Sequence, residues 1–409
     1  MQLFEKGPGF KSGIADLGKS LNGKTISSGL VSTIFGITGP CLVTIAAAQT
    51  AGFTQADTIT WIFGIYVFGG LLGAILALYY KQPISGAYSI PGATMMGAAL
   101  AGYTFNQAAG AFIIAGVLVL LVGMSGLIKK IMKFLPLEIV MAMVAGAMMK
   151  FGVAIVTAAK ADVITCGAAI LAFFLIPKIP GLKKVPGILA SLIIGTLVAV
   201  LRGQFAGAEM SGISYIGPRI IAPAFNGKLI LACSIPLAAL VMGAENAQAM
   251  GVLRAEGYEV PYNGMTVASG IGGIVAGLFG AHNANIAGPM TAICCSEEAG
   301  PKEGRYAASV FNGITFALFG LFGVYTTAFV KAIPSGLVSI WAGLAMLNVL
   351  INSLKGAFST GKFRTGAFIA LCTGISGVTI LGIGCAFWSL VFGVLVSFLA
   401  EPQDFKTQA

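Results

Sequence analysis

Glu245 is the one carboxylate that falls well inside an apolar stretch of this 409-residue chain. It stands in Gly243-Ala244-Glu245-Asn246-Ala247-Gln248, a polar patch in apolar sequence. At 1.5 Å per residue it lies about 25 Å along a helix from Lys228 and about 14 Å from Arg254. An acid at that depth is costly unless it is paired or functional, so the chemistry it suggests is reversible binding of a proton or cation. A structural hydrogen bond to broken backbone is the competing reading. His282, the sole histidine, can titrate near neutral pH and so suits proton coupling. It can equally donate one fixed hydrogen bond to substrate or backbone. Glu245 and His282 are the two candidates for proton coupling.

His282 opens one of two matched interruptions. Gly86-Ala87-Tyr88-Ser89-Ile90-Pro91-Gly92-Ala93 and Gly280-Ala281-His282-Asn283-Ala284-Asn285-Ile286-Ala287-Gly288-Pro289 each break apolar sequence with Gly, Pro and polar side chains. Tyr88 takes the place in the first that His282 takes in the second. The short apolar pieces that follow, Thr94–Ala101 and Met290–Cys295, are too brief to cross a bilayer. The two stretches stand just under half the chain apart. Paired, Gly/Pro-broken, short hydrophobic segments in corresponding halves mark an inverted-repeat secondary transporter with its site at the breaks; two harmless kinks are the bland reading. Irregular backbone at membrane depth must be buried in protein or line a cavity. The breaks therefore predict two extended pieces meeting near the midplane, each leading into a half-helix that begins near Gly92 or Ile286. Converging helix N-termini offer unpaired N–H groups and partial positive charge to an anion such as a carboxylate. The candidate substrate-binding residues are Tyr88, Ser89, Ile90, Pro91, Gly92, Ala93, Glu245, Asn246, His282, Asn283, Asn285, Ile286 and Ala287. Asn283 and Asn285 either cap the following half-helix or touch substrate.

The elements that must position these residues are membrane spans. Hydrophobic residues make up 57% of the chain and charged residues 9%, with mean hydropathy +0.93, against roughly 25% charged in a soluble domain. The expected fold is an all-α polytopic membrane protein of about fourteen segments in a 7+7 inverted repeat, with segments 3 and 10 broken. The first seven read as roughly 27–50, 55–80, 87–101, 106–128, 136–158, 162–178 and 186–203. The second seven read as 228–251, 262–279, 282–296, 304–330, 334–354, 364–378 and 380–399. Leu135-Pro136 and Ile333-Pro334 open corresponding segments. An odd number per half orients the halves oppositely. Gly203–Gly227 links them, with room for a short interfacial helix. The first 25 residues are polar and lysine-bearing, with no apolar core of a signal peptide before Ile26.

Net charge +10 does not imply nucleic acid, because the basic residues fall mainly between spans. With the N-terminus inside, only Lys150, Lys160, Arg202, Arg219, Lys228 and Lys331 of the 24 Lys and Arg are outside or buried. The positive-inside rule then puts both termini in the cytoplasm. The seven cysteines lie in apolar segments without metal-like spacing and read as packing residues. Asp57 and Asp162 sit where helix N-caps belong, and Glu138 lies near Lys133. Glu297, Glu298 and Glu303 read as a solvated loop with Lys302 and Arg305. No nucleophile–base pair, phosphate loop, metal cluster or cofactor motif supports an enzyme.

Phe279-Gly280-Ala281-His282, Asn285-Ile286-Ala287 and Thr291-Ala292-Ile293-Cys294 together resemble the second broken segment of the benzoate/proton symporter (BenE-type) family. Val252-Leu253-Arg254-Ala255-Glu256-Gly257-Tyr258 is similar to that family's loop after the eighth span, as are Leu321-Phe322-Gly323 and Ala342-Gly343-Leu344-Ala345 to later stretches. The resemblance is strongest over about residues 240–350. It implies the fold shared with nucleobase and sulfate-type anion transporters. That fold has a core domain (27–128 and 228–330) and a gate domain (136–203 and 334–399), with substrate between the half-helices. The function implied is proton-coupled uptake of an aromatic carboxylate such as benzoate by elevator-like alternating access, in the bacterial cytoplasmic membrane. Sodium is the alternative coupling ion, and a homodimer is compatible with this reading. The family usually carries glutamine where Glu245 stands, whereas nucleobase/proton symporters of the same fold carry glutamate there. The glutamate those symporters carry on the tenth segment is absent here. A nucleobase symporter or an inorganic-anion carrier is therefore the second function class, and a channel or scaffold the third.

Overall fold

Several helices begin where the sequence supplies a side-chain cap. A computed structural model of the chain describes residues 4–37, 39–182, 185, 187–204, 217–325, 333–378, 380 and 385–406. α1 (Phe10–Ser20) precedes α2 (Gly23–Ile37) and α3 (Gly39–Thr50), so the expected 27–50 span is two helices. α4 (Gln55–Tyr80) starts on a capping box between Thr54 and Asp57. Asp57 is thus not the cap itself: it is the third residue of the helix, and its carboxylate also pairs with Arg219. A two-residue strand β1 (Gly86–Ala87) leads into α5 (Ile90–Ala99). α6 (Phe105–Ser125) opens on a second capping box, Thr104 with Gln107, and α7 (Leu127–Phe134) follows. α8 (Leu137–Ala161) is preceded by Pro136, and α9 (Val163–Leu175) is capped by Asp162 as expected; α10 is Gly187–Leu201.

α11 (Gly227–Ala255) is one long helix with two π-helical turns, Ile230–Ser234 and Val241–Asn246. The first sits just ahead of Pro236, whose missing N–H interrupts the ladder. The second carries Glu245. α12 (Tyr262–Gly277) ends at the second break, where β2 (Asn285–Ile286) precedes α13 (Gly288–Cys295). α14 (Tyr306–Leu321), α15 (Ser335–Phe358), α16 (Arg364–Ser376), α17 (Cys385–Ala400) and α18 (Pro402–Lys406) complete the described chain. Among the described residues, four helices are long and apolar enough to cross a membrane: α4, α6, α8 and α11. α15 bends by 42° and makes a fifth if its two arms count as one span.

Neighbours in space are rarely neighbours in sequence. α6 lies along α12, α14 along α4 and α2, and α3 along α5; α8 lies along α15 and α16, α16 along α17, and α9 along α10. Residues 217–226 form no helix, and Ile221 and Ala224 donate backbone N–H groups to Leu278 and Asn106. The rest of the expected interfacial helix, 205–216, and Lys183, Lys184 and Lys331 lie outside the described residues. Both ends of the chain meet the same face. The Glu5 carboxylate caps α12 through the N–H groups of Asn263 and Gly264 at 3.0 and 2.9 Å. Glu401 does the same for α16 through Thr365 and Gly366 at 2.7 and 3.1 Å. On that face Arg305 is not solvated: it is buried, holding Glu256 at 2.8 Å and the carbonyls of Gly300 and Cys295. Glu298 accepts from Asn348, and Glu138 accepts from the Thr360 hydroxyl.

Candidate functional site

The two breaks pair with each other. β1 and β2 are antiparallel, with Gly86 opposite Ile286 and Ala87 opposite Asn285. Each break thus finds in the other the partners that its backbone lost on leaving the helix. Side chains complete the match. Ala287 N–H donates to the Ser85 carbonyl at 2.9 Å, Ser85 N–H to the Thr291 hydroxyl at 3.1 Å, and Ile286 N–H to the Ser269 hydroxyl at 3.2 Å. Gly69 and Gly73 of α4 let the strands lie directly on that helix: a Cβ at Gly69 would stand 2.5 Å from the Ala87 carbonyl oxygen.

The half-helices begin at Ile90 and Gly288, two residues from the expected starts, and each has proline second, Pro91 and Pro289. Proline there has the right φ and removes an N–H that would be unpaired anyway. The first N–H of each half-helix is then its exposed donor, and both meet the same acid. Gly288 N–H donates to Glu245 Oε2 at 3.4 Å, and Ile90 and Ser89, at the start of α5, stand close to the same carboxylate. Glu245 is 5% exposed. Its carboxylate sits at the joint positive pole of α5 and α13, where an anion was expected.

Beside it lies a cavity of about 10 Å³, lined by Phe35, Gly36, Pro40, Ala87, Tyr88, Ile90, Glu245, Ala287, Pro289 and Met290. That is room for about one water, so the site is closed around the acid. Its walls are aromatic and apolar except at the Glu245 pole. Tyr88 donates its hydroxyl to the Gly36 carbonyl at 3.2 Å. A second cavity, about 310 Å³, opens on the face where the termini meet, between α8 and α15 on one side and α11 and α13 on the other. Its lining includes Met141, Val252, Cys295, Asn352 and Lys355.

Of the expected residues, Tyr88, Ile90, Glu245 and Ala287 line the closed cavity. The others stand behind it as a brace. His282 is fully buried. Its Nδ1 accepts the Trp61 indole N–H at 2.9 Å, and its Nε2 faces the Ser89 carbonyl at 2.9 Å. An indole only donates, so the imidazole proton sits on Nε2 and is donated to Ser89. Asn283 Oδ1 accepts Ser89 N–H at 3.0 Å, Asn285 Nδ2 donates to the Ile286 carbonyl at 2.8 Å, and Asn246 Oδ1 accepts from Ser269 at 3.1 Å. Neither Asn283 nor Asn285 caps α13, whose N-cap is Ala287 without a side-chain bond. Gly92 N–H is taken by the Ser89 hydroxyl and Ala93 N–H by its carbonyl, while Pro91 and Ile286 belong to α5 and β2.

Sequence reasoning passed over Gly288, Trp61, Gln248, Ser269 and Ser85. The Gly-Pro pair at 288–289 was the available signal. Gly288 has no room for a Cβ, because the Gln248 carboxamide occupies that space. Lys150, near the middle of α8, holds its ammonium 5.3 Å from the centroid of Phe151. Phe151 meets the site residue Phe35 edge-on at 5.2 Å.

Two half-helices beginning beside one buried acid, within a bundle of apolar helices, point to a membrane transporter. The fold is shared with proteins of known structure. The chain aligns over 92% of its length with SLC26A9 (TM-score 0.52, 14% identity, 64% of that longer chain). It aligns equally far with the transmembrane domain of the cyanobacterial bicarbonate transporter BicA (TM-score 0.51, 16% identity, 96% of that chain). The chain belongs to the BenE family, benzoate membrane transport protein, whose profile matches residues 19–399. Its relatives include the inner membrane protein YdcO of Escherichia coli (strain K12), 30% identical over 93% of this chain and 98% of that one. The benzoate membrane transport protein of Acinetobacter baylyi is 25% identical over 92% and 95%.

Proposed function

We propose that this protein is a proton-coupled carrier for a small aromatic carboxylate such as benzoate. The observation that carries the proposal is the Glu245 carboxylate lying between the N-terminal N–H groups of Ile90 and Gly288, against the rings of Phe35 and Tyr88. A substrate carboxylate suits the same two donors, and its ring suits the same walls. Two carboxylates at one pole repel, so protonation of Glu245 makes way for the incoming anion and couples the two. His282, with both ring nitrogens engaged, serves this scheme as a positioning residue that ties the second break to the first.

Transport requires the closed site to open toward one side and then the other. We assign α2–α6 and α11–α14 to a moving core and α8–α10 and α15–α17 to a gate. The assignment is supported by the helix contacts within each set and by the 310 Å³ cleft between them. The antiparallel pairing of β1 with β2 is what two inverted halves would produce, in keeping with a 7+7 repeat and alternating access. With the termini in the cytoplasm, that cleft is the inner vestibule.

The second reading is a nucleobase carrier, favoured by Glu245 itself, since a carboxylate accepts the ring N–H groups of a nucleobase. Uptake of labelled benzoate into proteoliposomes, with uracil and sulfate as competitors, tests both. Benzoate accumulation driven by an inwardly directed proton gradient is the expected result. Uracil accumulation without benzoate uptake would replace the first reading with the second, and uptake of neither would reject both.

A further inference from the structure

α1 carries an apolar edge that the protein does not cover. At about 100° per residue, Phe10, Ile14 and Leu21 fall within a sector roughly 40° wide, and they are 45%, 61% and 36% exposed. The side of α1 turned to the protein adjoins this edge, from Leu17 round through Gly13 to Asp16. Gly13 is buried against the backbone of Leu78, and its carbonyl accepts the Tyr306 hydroxyl at 2.9 Å. Asp16 holds Lys81 at 2.6 Å, and Leu17 packs on Ala77, Tyr306 and Val310. The apolar edge therefore points sideways along the molecule. It lies beside α4, whose own exposed Leu71 and Ile75 mark a lipid-facing side, and the Phe10 ring is 5.2 Å from that of Tyr79.

The charge of this segment is sorted as well. Lys6, Lys11, Lys19 and Lys24 are all exposed. The acids of the same stretch, Glu5 and Asp16, are both used internally, on the N-terminus of α12 and on Lys81. What faces outward is positive. We infer that residues 4–24 bind the surface of an anionic phospholipid leaflet. Phe10, Ile14 and Leu21 enter the boundary between headgroups and acyl chains, and the lysines rest on lipid phosphates. Glu5, Gly13 and Asp16 clip this anchor to α12, α14 and α4, so it holds the helices that carry both breaks. The inference is independent of the substrate.

The test places a bimane fluorophore on Ile14→Cys in the full-length protein, with Cys372→Ser and Cys385→Ser, in nanodiscs of phosphatidylcholine alone or mixed with phosphatidylglycerol. In mixed discs, brominated phospholipid should quench the label strongly and aqueous iodide weakly. Quenching by brominated lipid should drop several-fold in phosphatidylcholine discs, and likewise in mixed discs when Lys6, Lys11 and Lys19 are all changed to Gln. These lysines are exposed, so the triple variant should keep the wild-type elution profile. A label reached by iodide and not by brominated lipid would overturn the proposal. Equal lipid quenching with and without phosphatidylglycerol would overturn it too. Shielding from both quenchers would mean that a second copy of the chain covers this edge, and would also overturn it.

Discussion

Glu245 accepts the backbone N–H of Gly288 at 3.4 Å, so an acid of α11 occupies the positive pole of α13. The same carboxylate reaches Ile90 at the start of α5. In this closed arrangement the protein places its own carboxyl group in the site that an anionic substrate is proposed to use.

Competition for that pole should make substrate binding depend on pH. Benzoate affinity should fall as pH rises above the range where Glu245 is protonated, by up to about tenfold per unit for one linked proton. Glu245→Gln should flatten this dependence, lose proton-driven accumulation and retain exchange of substrate across the membrane. Accumulation by the variant equal to wild type from about pH 5 to 8 would remove Glu245 from the coupling role.

Gly288 faces the Gln248 carboxamide with no space for a methyl group. Gly288→Ala should push α13 away from Glu245 and weaken benzoate binding by about tenfold or more, the order of one lost charge-assisted hydrogen bond. Adding Gln248→Gly, which removes the Cβ at 2.7 Å as well as the carboxamide, clears the overlap and should restore most of the affinity, read by calorimetry. No recovery in the double variant would mean that the clash is not the cause.

His282 should matter for stability and placement rather than for the proton. His282→Ala leaves the buried indole N–H of Trp61 without a partner, at a cost of about 1–3 kcal/mol, and takes from the Ser89 carbonyl one of its two hydrogen bonds, the other coming from Ala93 N–H. It should lower the melting temperature in detergent and reduce transport at every pH. His282→Gln, which can both accept and donate, should recover part of both. A variant that transports normally but no longer responds to pH would make His282 the coupling group instead.

Motion of core against gate can be stopped at the cleft. Ser296→Cys and Asn352→Cys stand on its opposite sides, and a short bifunctional thiol reagent bridging them should abolish benzoate uptake until the bridge is reduced. Full transport with the bridge in place would favour a pathway that does not need the two bodies to move.

Glu401 offers a stability test away from the membrane interior. Burial alone would raise its pKa, but the N–H groups of Thr365 and Gly366 and the Ser397 hydroxyl outweigh burial and hold it below the usual carboxylate value of 4.5. A depressed pKa in the folded state means that the stabilisation is complete above about 4.5 and is lost as pH falls through the lower, folded value. Glu401→Gln should therefore lower the melting temperature at pH 7 by an amount matching about 1 kcal/mol for a lost cap. The gap should close on acidification below pH 4.5 and not on raising the pH.

The sequence by itself determined the class of protein and the places of the two breaks. Gly, Pro and polar residues breaking apolar runs are local signals, because each acts on the backbone where it stands. The two breaks, their extended pieces and the half-helices were therefore legible to within about two residues. So was the place of Glu245 within a long apolar helix, which needs only hydropathy and counting. Tertiary structure alone decided what each group meets. Ser89 N–H finds Asn283 across a separation of 194 residues, and Trp61 finds His282 across 221. Arg305, which reads as solvated, is buried on the carbonyls of Gly300 and Cys295. Asp57 reads as a cap and is also an ion-pair partner of Arg219. The physical reason is the same in each case. Composition sets how costly a polar group is inside the membrane, but its hydrogen-bond partner comes from whichever distant segment packing brings within about 3 Å.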